Sequence, residues 1–454
     1  MEAGKVVFLS ESVVVAFKAR NDRRTRTLMQ RATTRWCRQT PLSMKCWPRK
    51  RLRWCSSQLR RSYSQIREED KQEVNVRKIE EETLPFYSRS NFYPVYIGEV
   101  LASRYRVVGK LGFGAGSTVW LARDLEKQNY VVLKIYARGL SSTSEHEVTT
   151  YKYLNTIESD HPGRKYVRTC LDSFEAEGPD GNAYQCLVHR PLWQSLGMLQ
   201  YRHSRHKLTE ELLRPVLSCV LRAIDYLHSE CHLVHTDIKA SNIMLGLDDD
   251  SVLQAFEANE MANPSPRNIY PDRTIYRSRL IDRPKAIGLP VLSDFGLARF
   301  EGGNADDDIQ PEIYRAPEVL LDMDWNYPVD IWNVGAMIWD LFYDKHLFDA
   351  YDPVTNKLSN KYHISEMAAY LGLPPREFLE KSETSWKYFD RSGRLITGFD
   401  LSDKLSLEAR EERLEGEKKE QFLNFIRSML RWDPNDRLTA RELLDDPWLN
   451  DYKI

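Results

Sequence analysis

A glycine-rich stretch is the first part of the sequence whose residue types suggest chemistry. It reads Leu111-Gly112-Phe113-Gly114-Ala115-Gly116-Ser117-Thr118-Val119 and lies between two predicted strands. Because glycine lacks a side chain, the backbone N–H groups of such a turn can approach phosphate groups closely and cover them. A lone glycine-rich turn is most often only a hairpin, so the stretch indicates phosphate binding only if other groups accompany it.

Lys134 is the next candidate, fifteen residues after Val119 on the following predicted strand. It stands between the apolar residues Leu133 and Ile135. Its ammonium group therefore needs a partner or a ligand if the side chain points inward.

Glu147 is the candidate partner of Lys134. In a helix it shares a face with Tyr151 and Leu154 and is directed toward a core, whereas Glu145 falls on a more polar side. A buried pair of Lys134 and Glu147 could hold the ammonium toward two phosphates. Two unrelated surface charges are the alternative if nothing else in the sequence supports the pair.

Five further motifs follow in order, so that the whole set spans more than 300 residues. They are His235-Thr236-Asp237-Ile238-Lys239-Ala240-Ser241-Asn242, Asp294-Phe295-Gly296, Ile313-Tyr314-Arg315-Ala316-Pro317-Glu318, Asp330-Ile331-Trp332-Asn333-Val334-Gly335 and Asp433-Pro434-Asn435-Asp436-Arg437. Each motif alone has an ordinary structural explanation. Chance does not explain all of them in this order.

The elements that must position these motifs change in type along the chain. Residues 104–121 show period-two apolar character around glycines, and residues 131–136 are strongly β-prone. Past Leu208 the pattern becomes helical, with apolar residues that recur at intervals of three and four: Leu212, Val216, Val220, Ile224 and Leu227. This order, in which strands come first and helices follow, indicates an α+β architecture with segregated lobes.

The ordered motifs resemble those of eukaryotic protein kinases over roughly Tyr105 to Trp448. The resemblance implies the two-lobed protein-kinase fold, with a small β-rich lobe at 93–190 and a large helical lobe at 191–454. It also implies a protein serine/threonine kinase that uses ATP and Mg²⁺. The spacing Asp-x-Lys-x-x-Asn is typical of kinases that modify serine or threonine rather than tyrosine.

The catalytic and metal-binding residues follow from this resemblance. Asp237 is expected to accept the proton of the substrate hydroxyl, and Lys239 to stabilise the transferring phosphoryl group. Asn242 and Asp294 are expected to hold the magnesium ions. In the same family, Asp330 holds the catalytic loop.

The nucleotide-binding residues follow in the same way. Lys134, paired with Glu147, is expected to grip the α- and β-phosphates. The residues expected to cover the nucleotide are Leu111, Gly112, Gly114 and Val119. Glu318 and Arg437 match the buried ion pair that braces the large lobe.

Departures from the general kinase pattern resemble the SR-protein kinases, which phosphorylate serines in Arg-Ser tracts of splicing factors. Thr236 replaces the usual Arg before the catalytic Asp, and Ser117 stands at the third glycine position. In many kinases that Arg meets a phosphate on the activation loop, and here no Ser, Thr or Tyr lies between Gly296 and Tyr314. We therefore predict activity without activation-loop phosphorylation. Phe295, where typical SR-protein kinases have Leu, indicates a divergent, fungal-type member.

An insert at about 247–288 separates Asn242 from Asp294 and contains Arg277-Ser278-Arg279. SR-protein kinases carry a spacer here that influences whether they stay in the cytoplasm, so the resemblance implies a cytoplasmic or nuclear location. A surface loop with a pair of strands and no regulatory role is the alternative.

Charged residues of the large lobe bear on the substrate preference. The region corresponding to the docking groove, 347–372, has three acidic residues (Asp349, Asp352 and Glu366) but also Lys357, Lys361 and His363. Glu312 aligns with an Arg that in SR-protein kinases reads the residue after the phosphoacceptor, and it would favour a basic residue there instead. The run Asp306-Asp307-Asp308 could also attract arginines, and a solvated acidic loop explains it equally well. Two alternatives to Arg/Ser-rich substrates stay open: a related kinase of other basic or proline-directed substrates, and an inactive nucleotide-binding scaffold.

The charge of the 454-residue chain is uneven. Lys and Arg total 65 and Asp and Glu total 66, but residues 1–67 hold 17 basic and only 3 acidic side chains. We predict a basic, weakly ordered segment at 1–82. It has three open interpretations: a mitochondrial transit peptide, a nucleic-acid-binding arm at 18–67 with stacking tryptophans (Trp36, Trp47 and Trp54), or a leader without a role.

The composition argues against two classes of protein. Hydrophobic content of 42% with 11% aromatics excludes wholesale disorder, and no apolar run is long enough to predict a membrane span. Cys37, Cys46 and Cys55 are regularly spaced, but neither a histidine nor a fourth cysteine accompanies them, so no zinc site is predicted.

Overall fold

The computed structural model describes residues 77–139, 141–203, 206–300, 303, 307–396 and 406–450. The predictions for residues 1–76, including the three cysteines and three tryptophans considered above, lie outside the described residues. So does Asp306.

The small lobe is built on a six-stranded antiparallel sheet with the order β1-β2-β3-β4-β6-β5. Its strands are β1 (Val100–Leu101), β2 (Tyr105–Gly114), β3 (Ser117–Asp124), β4 (Asn129–Tyr136), β5 (Cys170–Glu177) and β6 (Ala183–His189). Alternate side chains such as Val107, Trp120 and Leu133 form a buried cluster on one face. Helix α1 (Ser141–Thr156) packs against β5 and β6.

The large lobe is mainly helical, as the periodicity predicts. Its helices outside the insert are α2 (Leu196–Arg202), α3 (Glu210–Ser229), α5 (Pro317–Leu320), α6 (Pro328–Tyr343), α7 (Asn360–Leu371), α8 (Arg376–Leu379), α9 (Leu407–Arg410), α10 (Gly416–Met429), α11 (Ala440–Leu443) and α12 (Pro447–Asn450). Helix α6 is apolar on nearly every side and lies in the core. In α3 the buried stripe begins with Leu213 and Leu217, while Leu212 and Val216 are only half-buried.

Short strand pairs lie at the junction of the lobes. β7 (Leu233–Val234) pairs with β12 (Arg299–Phe300), and β8 (Ile243–Leu247) pairs with β11 (Ile287–Leu292). These two antiparallel pairs flank the segments 235–242 and 293–298. They therefore fix both segments at one place between the lobes.

The insert contains helix α4 (Ser251–Ala262) and a hairpin of β9 (Arg267–Ile269) and β10 (Thr274–Tyr276). Although it follows β8 in the chain, it packs on the small-lobe sheet. Phe256 of α4 lies against Gly109 of β2, where a Cβ atom would come within 2.8 Å of the ring. Tyr276 packs edge-on against Trp120, with 5.8 Å between ring centroids. The insert thus has the expected pair of strands and, in addition, a helix with a buried face.

Residues 77–82 belong to the packed body and not to a separate basic segment. The short 3₁₀ helix Glu80–Thr83 places Glu81 in a buried ion pair with Lys110 of β2. Composition alone could not locate this boundary, because the contact depends on a residue almost thirty positions away. Among the described residues, no helix combines the length and apolar character needed to cross a membrane.

Candidate active site

The glycine-rich stretch forms the end of the β2–β3 hairpin. Gly112 pairs with Val119 and Gly114 with Ser117, and Ala115 and Gly116 make the turn. Val119 in turn pairs with Lys134 on β4. This register places the glycine-rich hairpin directly beside the lysine.

Lys134 and Glu147 form the contact expected from their sequence positions. The Lys134 ammonium donates to both Glu147 carboxylate oxygens, at 2.9 and 2.7 Å. Glu147 is buried on the inner face of α1, whereas Glu145 is exposed. Tyr136, two residues after Lys134 on the same face of β4, also donates to Glu147. Strand alternation could have identified Tyr136, which the sequence analysis missed.

Asp294 completes this cluster, with its carboxylate 3.5 Å from the Lys134 ammonium. Lys134 holds the pKa of Asp294 at about 2, against the effect of burial. Burial disfavours the charged form of Lys134, but Asp294 and Glu147 outweigh it and raise the pKa of Lys134. Both groups are therefore charged at neutral pH.

The catalytic-loop residues also meet. Lys239 donates to both Asp237 carboxylate oxygens, at 2.8 and 2.7 Å. The Asn242 side-chain amide donates to the Asp237 carbonyl at 2.9 Å and to its carboxylate at 2.8 Å. Burial raises the pKa of Asp237, while Lys239 lowers it. Asp237 is thus a carboxylate of increased basicity held in one orientation.

Asp330 at the start of α6 anchors this loop. Its carboxylate accepts the backbone N–H groups of His235, at 2.7 Å, and of Thr236, at 2.8 Å. It also contacts the ring of His228 at 2.9 Å. Thr236 has φ 64, an unfavourable region for a β-branched residue, so these bonds hold a strained backbone.

Asn242 and Asp294 suit a bound cation. The Ser293 N–H and hydroxyl both donate to the Asn242 carbonyl at 2.9 Å, which places the two oxygen-bearing side chains in neighbouring positions. Because the Asn242 amide nitrogen donates to Asp237, its side-chain oxygen is left as an acceptor. An amide oxygen and an ionised carboxylate are ligands that Mg²⁺ accepts. No cluster of three or more His, Cys, Asp or Glu side chains able to hold a metal is found in the described part of the chain.

Two contacts with other elements hold the start of the activation segment. The Thr236 hydroxyl donates to the Leu297 carbonyl at 2.7 Å. The next carbonyl, that of Ala298, lies 2.5 Å from the ring nitrogen Nε2 of His146 on α1. His146 carried no sequence signal, because its partner lies more than 150 positions away.

The large lobe contains the expected buried ion pair. The Arg437 guanidinium donates to the two Glu318 carboxylate oxygens at 2.7 and 2.6 Å. Both side chains are almost fully buried. This pair ties the segment before α6 to the chain after α10.

The acidic residues that the sequence relates to substrate preference, among them Glu312 and Glu366, differ in environment. Glu312 is half-buried, and burial raises its pKa although Arg315 opposes the change. Arg315 pairs with Asp308 at 2.5 Å. In the groove region, burial raises the pKa of Glu366 to about 7. Burial also lowers the pKa of His363 to about 3, so this histidine is neutral at pH 7 and adds no positive charge to the groove.

Comparison with known proteins identifies relatives along most of the chain. The sequence pattern of the protein kinase domain matches residues 105–265 and 280–449. A serine/threonine protein kinase of Aspergillus fumigatus is 48% identical over 375 residues, which cover 82% of this chain and 91% of that protein. The serine/threonine-protein kinase SRPK of Physarum polycephalum is 31% identical over 401 residues, covering 82% and 92%. SRSF protein kinase 3 of Homo sapiens is 23% identical over 515 residues, covering 82% and 90%.

A solved structure gives the same architecture. The crystal structure of a kinase domain superposes with a TM-score of 0.59 at 21% identity, covering 79% of this chain and 99% of that chain. This likeness confirms the α+β, two-lobed fold predicted from the sequence. The similarity to an SRPK and to an SRSF kinase agrees with the resemblance to a divergent SR-type kinase.

Proposed function

The chain belongs to the protein kinase family, and from this premise we propose that it transfers the terminal phosphoryl group of ATP to serines of arginine- and serine-rich proteins such as splicing factors. It is a protein serine/threonine kinase. The observation that carries the proposal is the meeting of Lys134, Glu147 and Asp294 beside the loop that holds Asp237.

In this proposal Asp237 accepts the proton of the serine hydroxyl as the phosphoryl group is transferred. Lys239 and Asn242 fix its carboxylate, so little rearrangement is needed during the reaction. Lys239 is also placed to neutralise charge on the transferring group. The raised pKa of Asp237 makes it a better proton acceptor than an exposed carboxylate.

The remaining residues of the site, on β4, α1 and the β2–β3 hairpin, would bind the nucleotide. Lys134, oriented by Glu147, binds the phosphates of ATP, and the residues of the hairpin (Leu111, Gly112, Gly114 and Val119) cover them. Asn242 and Asp294 would hold Mg²⁺. When bound, Mg²⁺ neutralises charge on the phosphate oxygens.

We propose that the enzyme is active without activation-loop phosphorylation. Thr236 stands where other kinases use an Arg to receive a phosphate, and its hydroxyl instead binds the Leu297 carbonyl directly. The contact between His146 and Ala298 ties the same segment to α1, which carries Glu147. Both contacts form without a phosphate group on the activation segment.

A preference for arginine beside the serine rests on the acidic side chains of the large lobe. Glu312, Asp349 and Glu366 lie in the regions expected to meet the substrate peptide, and the histidine of the groove is neutral. The positively charged guanidinium of a substrate would be drawn to these carboxylates. A location in the cytoplasm with access to the nucleus, where such substrates occur, belongs to the same proposal.

The test is phosphate transfer from ATP with Mg²⁺ to an Arg-Ser repeat peptide and to a matched Lys-Ser peptide. Wild type and Asp237→Asn are compared, with nucleotide binding measured in both. Labelling that depends on Asp237 and prefers the Arg peptide supports the proposal. Labelling without that preference keeps the kinase but favours other basic or proline-directed substrates. Nucleotide binding without labelling above the variant favours an inactive scaffold.

A further inference from the structure

Ser278 lies where three parts of the chain meet: the insert, strand β2 and the acidic residues that precede the sheet. Its hydroxyl donates to the Glu80 carboxylate at 2.6 Å. The backbone N–H of Arg279 donates to the Lys110 carbonyl at 2.9 Å. Ser278 therefore joins the insert to the strand that leads into the glycine-rich turn.

The acidic anchor, defined as residues Glu80, Glu81 and Glu82, is held by this junction. Glu81 pairs with Lys110, whose ammonium is completely buried and also donates to the Tyr276 carbonyl at 3.1 Å. Glu82 accepts from Tyr270 at 2.7 Å and from Asn268 at 3.0 Å in the β9–β10 hairpin. The anchor thus places the Glu80 carboxylate at the Ser278 hydroxyl, with two further acidic residues next to it in the chain.

The residues around Ser278 have the composition of the substrate proposed above. Arg277-Ser278-Arg279 is the only Arg-Ser-Arg sequence in the chain. It lies at the start of a stretch, 277–284, without regular secondary structure. Arg277 is exposed and Ser278 is half-buried. A kinase acting on arginine-flanked serines could bind this stretch in an extended form.

The same stretch lies outside the common kinase core. The two ranges that match the protein kinase domain stop at 265 and resume at 280. Ser278 therefore lies in the part of the chain that the shared catalytic function does not account for. Its contacts are with the small lobe and the acidic anchor, and not with the catalytic loop.

We propose that Ser278 is a phosphorylation site, modified by a second copy of this chain, and that its phosphate releases the acidic anchor from the small lobe. The inference rests on the proposed function. The Ser278 oxygen attacks the terminal phosphorus of ATP, the bond from that phosphorus to the bridging oxygen breaks, and ADP leaves with that oxygen. The hydroxyl proton passes to Asp237 of the copy that acts as the enzyme.

The expected structural effect follows from charge. A phosphoserine carries about −1.5 to −2 charges at pH 7. It would replace a hydroxyl that donates to Glu80 with a group that repels Glu80 and its acidic neighbours. The Lys110 ammonium lies 3.7 Å from Glu80 and also pairs with the buried Glu81, so its single charge is already shared by two carboxylates and does not offset the added phosphate. Phosphorylation of Ser278 therefore disfavours the packing of the acidic anchor against the small lobe.

The first test uses an isotope-labelled, full-length Asp237→Asn protein as substrate for unlabelled wild type, with an Arg-Ser repeat peptide in the same tube. Phosphate on the labelled chain is mapped by mass spectrometry. Ser392, which follows Arg391 but precedes Gly393, is the matched control. We expect Ser278 to be modified at least about tenfold faster than Ser392. Adding Ser278→Ala should abolish the mapped signal, and adding Ser392→Ala should not.

The outcomes separate the two proposals. Phosphorylation of the peptide without Ser278, or equal modification of Ser278 and Ser392, overturns this inference and leaves the proposed function intact. Absence of phosphate on both peptide and Ser278 overturns both.

The second test measures hydrogen exchange of the anchor before and after phosphorylation. The Glu82 and Leu84 amides donate to the carbonyls of Ile79 and Glu81, at 3.1 and 3.0 Å. We expect these amides to exchange at least about tenfold faster in the phosphorylated protein, because the anchor opens. Ser278→Ala taken through the same reaction is the control and should not change. If these amides exchange at the same rate in protein that is fully phosphorylated at Ser278, the phosphate does not release the anchor and this part of the inference is overturned.

Discussion

At the scale of single residues, the roles proposed for Asp237 and Lys239 predict at which pH the enzyme works. Asp237 must be ionised to accept a proton, so activity is lost as the pH falls through its pKa. Burial raises that pKa and Lys239 lowers it. The two effects act on the same carboxylate in opposite directions.

Replacing Lys239 with Met should therefore move the acid limb of the kcat profile to higher pH. The charge that lowers the Asp237 pKa is lost, while burial still raises it. We also expect kcat on the plateau to fall by at least about tenfold, because the transferring phosphoryl group loses a positive neighbour. The measurement is kcat against pH for wild type and variant. An unchanged acid limb would contradict the assigned contact.

Glu366 gives a second prediction that depends on pH. Burial, and to a lesser extent the charge of Asp349, raise its pKa to about 7 against the hydrogen bond from the Ala350 N–H, so it ionises between pH 6 and pH 8. If its anion receives a substrate arginine, KM for an Arg-Ser peptide should fall over that range by up to about tenfold.

Glu366→Gln is the control for this measurement. It keeps the size of the side chain but has no charge to gain, so its KM should change little between pH 6 and pH 8. A wild-type KM that is equally flat would remove Glu366 from the docking groove.

At the scale of elements, the insert helix α4 acts as part of the small lobe. Phe256 is buried in a cluster with Val108 and Leu121 of the sheet and Ile281 after the hairpin. We expect Phe256→Ala to lower the free energy of unfolding by about 3–5 kcal/mol, because it leaves a cavity in this cluster. Met261, at the end of the same helix, is 79% exposed.

Met261→Ala is the matched control and should change stability by no more than about 0.5 kcal/mol. The measurement is denaturant unfolding followed by tryptophan fluorescence. Equal effects of the two variants would mean that α4 does not pack as described.

The Thr236 hydroxyl is one of the groups that hold the first turn of the activation segment. Thr236→Val has nearly the same shape and the same restricted backbone, but it removes the Thr236 hydroxyl as a donor to the Leu297 carbonyl. The Arg299 guanidinium, which also donates to this carbonyl at 2.9 Å, stays in place. We expect kcat to fall by up to about tenfold, since a neutral hydrogen bond contributes about 0.5–1.5 kcal/mol. Peptide assays of the two purified, unphosphorylated proteins measure this. A variant as active as wild type would show that another contact holds the segment.

These elements also show what sequence can and cannot predict. Lys134 and Glu147 were paired from local patterns, because strand alternation and helix periodicity each define a face. Asp237, Asn242 and Asp294 were recognised only by resemblance, since nothing local brings residues 52 positions apart into contact. The contact of His146 and the packed helix of the insert were not predicted. Their contacts depend on tertiary packing, for which short-range periodicity carries no information.

At the scale of the whole molecule, the buried pair of Lys110 and Glu81 connects the chain before the sheet to the sheet itself. Lys110→Met should destabilise the protein by about 3–5 kcal/mol, because Glu81 is left buried without its counter-charge. The double variant Lys110→Met, Glu81→Leu should recover most of that loss. A double-mutant cycle in denaturant unfolding measures the coupling. Additive losses would contradict a direct pair.

The position of the insert has a consequence for how the protein is made. The sheet ends at His189, but the cluster that covers it includes Phe256 and Ile281. During translation the small lobe therefore emerges with one apolar face uncovered. At about 5–20 residues per second, roughly 5–20 s pass before Ile281 is synthesised. The nascent chain must be protected by a chaperone or by the ribosome during that interval, and a fragment that stops at residue 190 would keep the face exposed and aggregate.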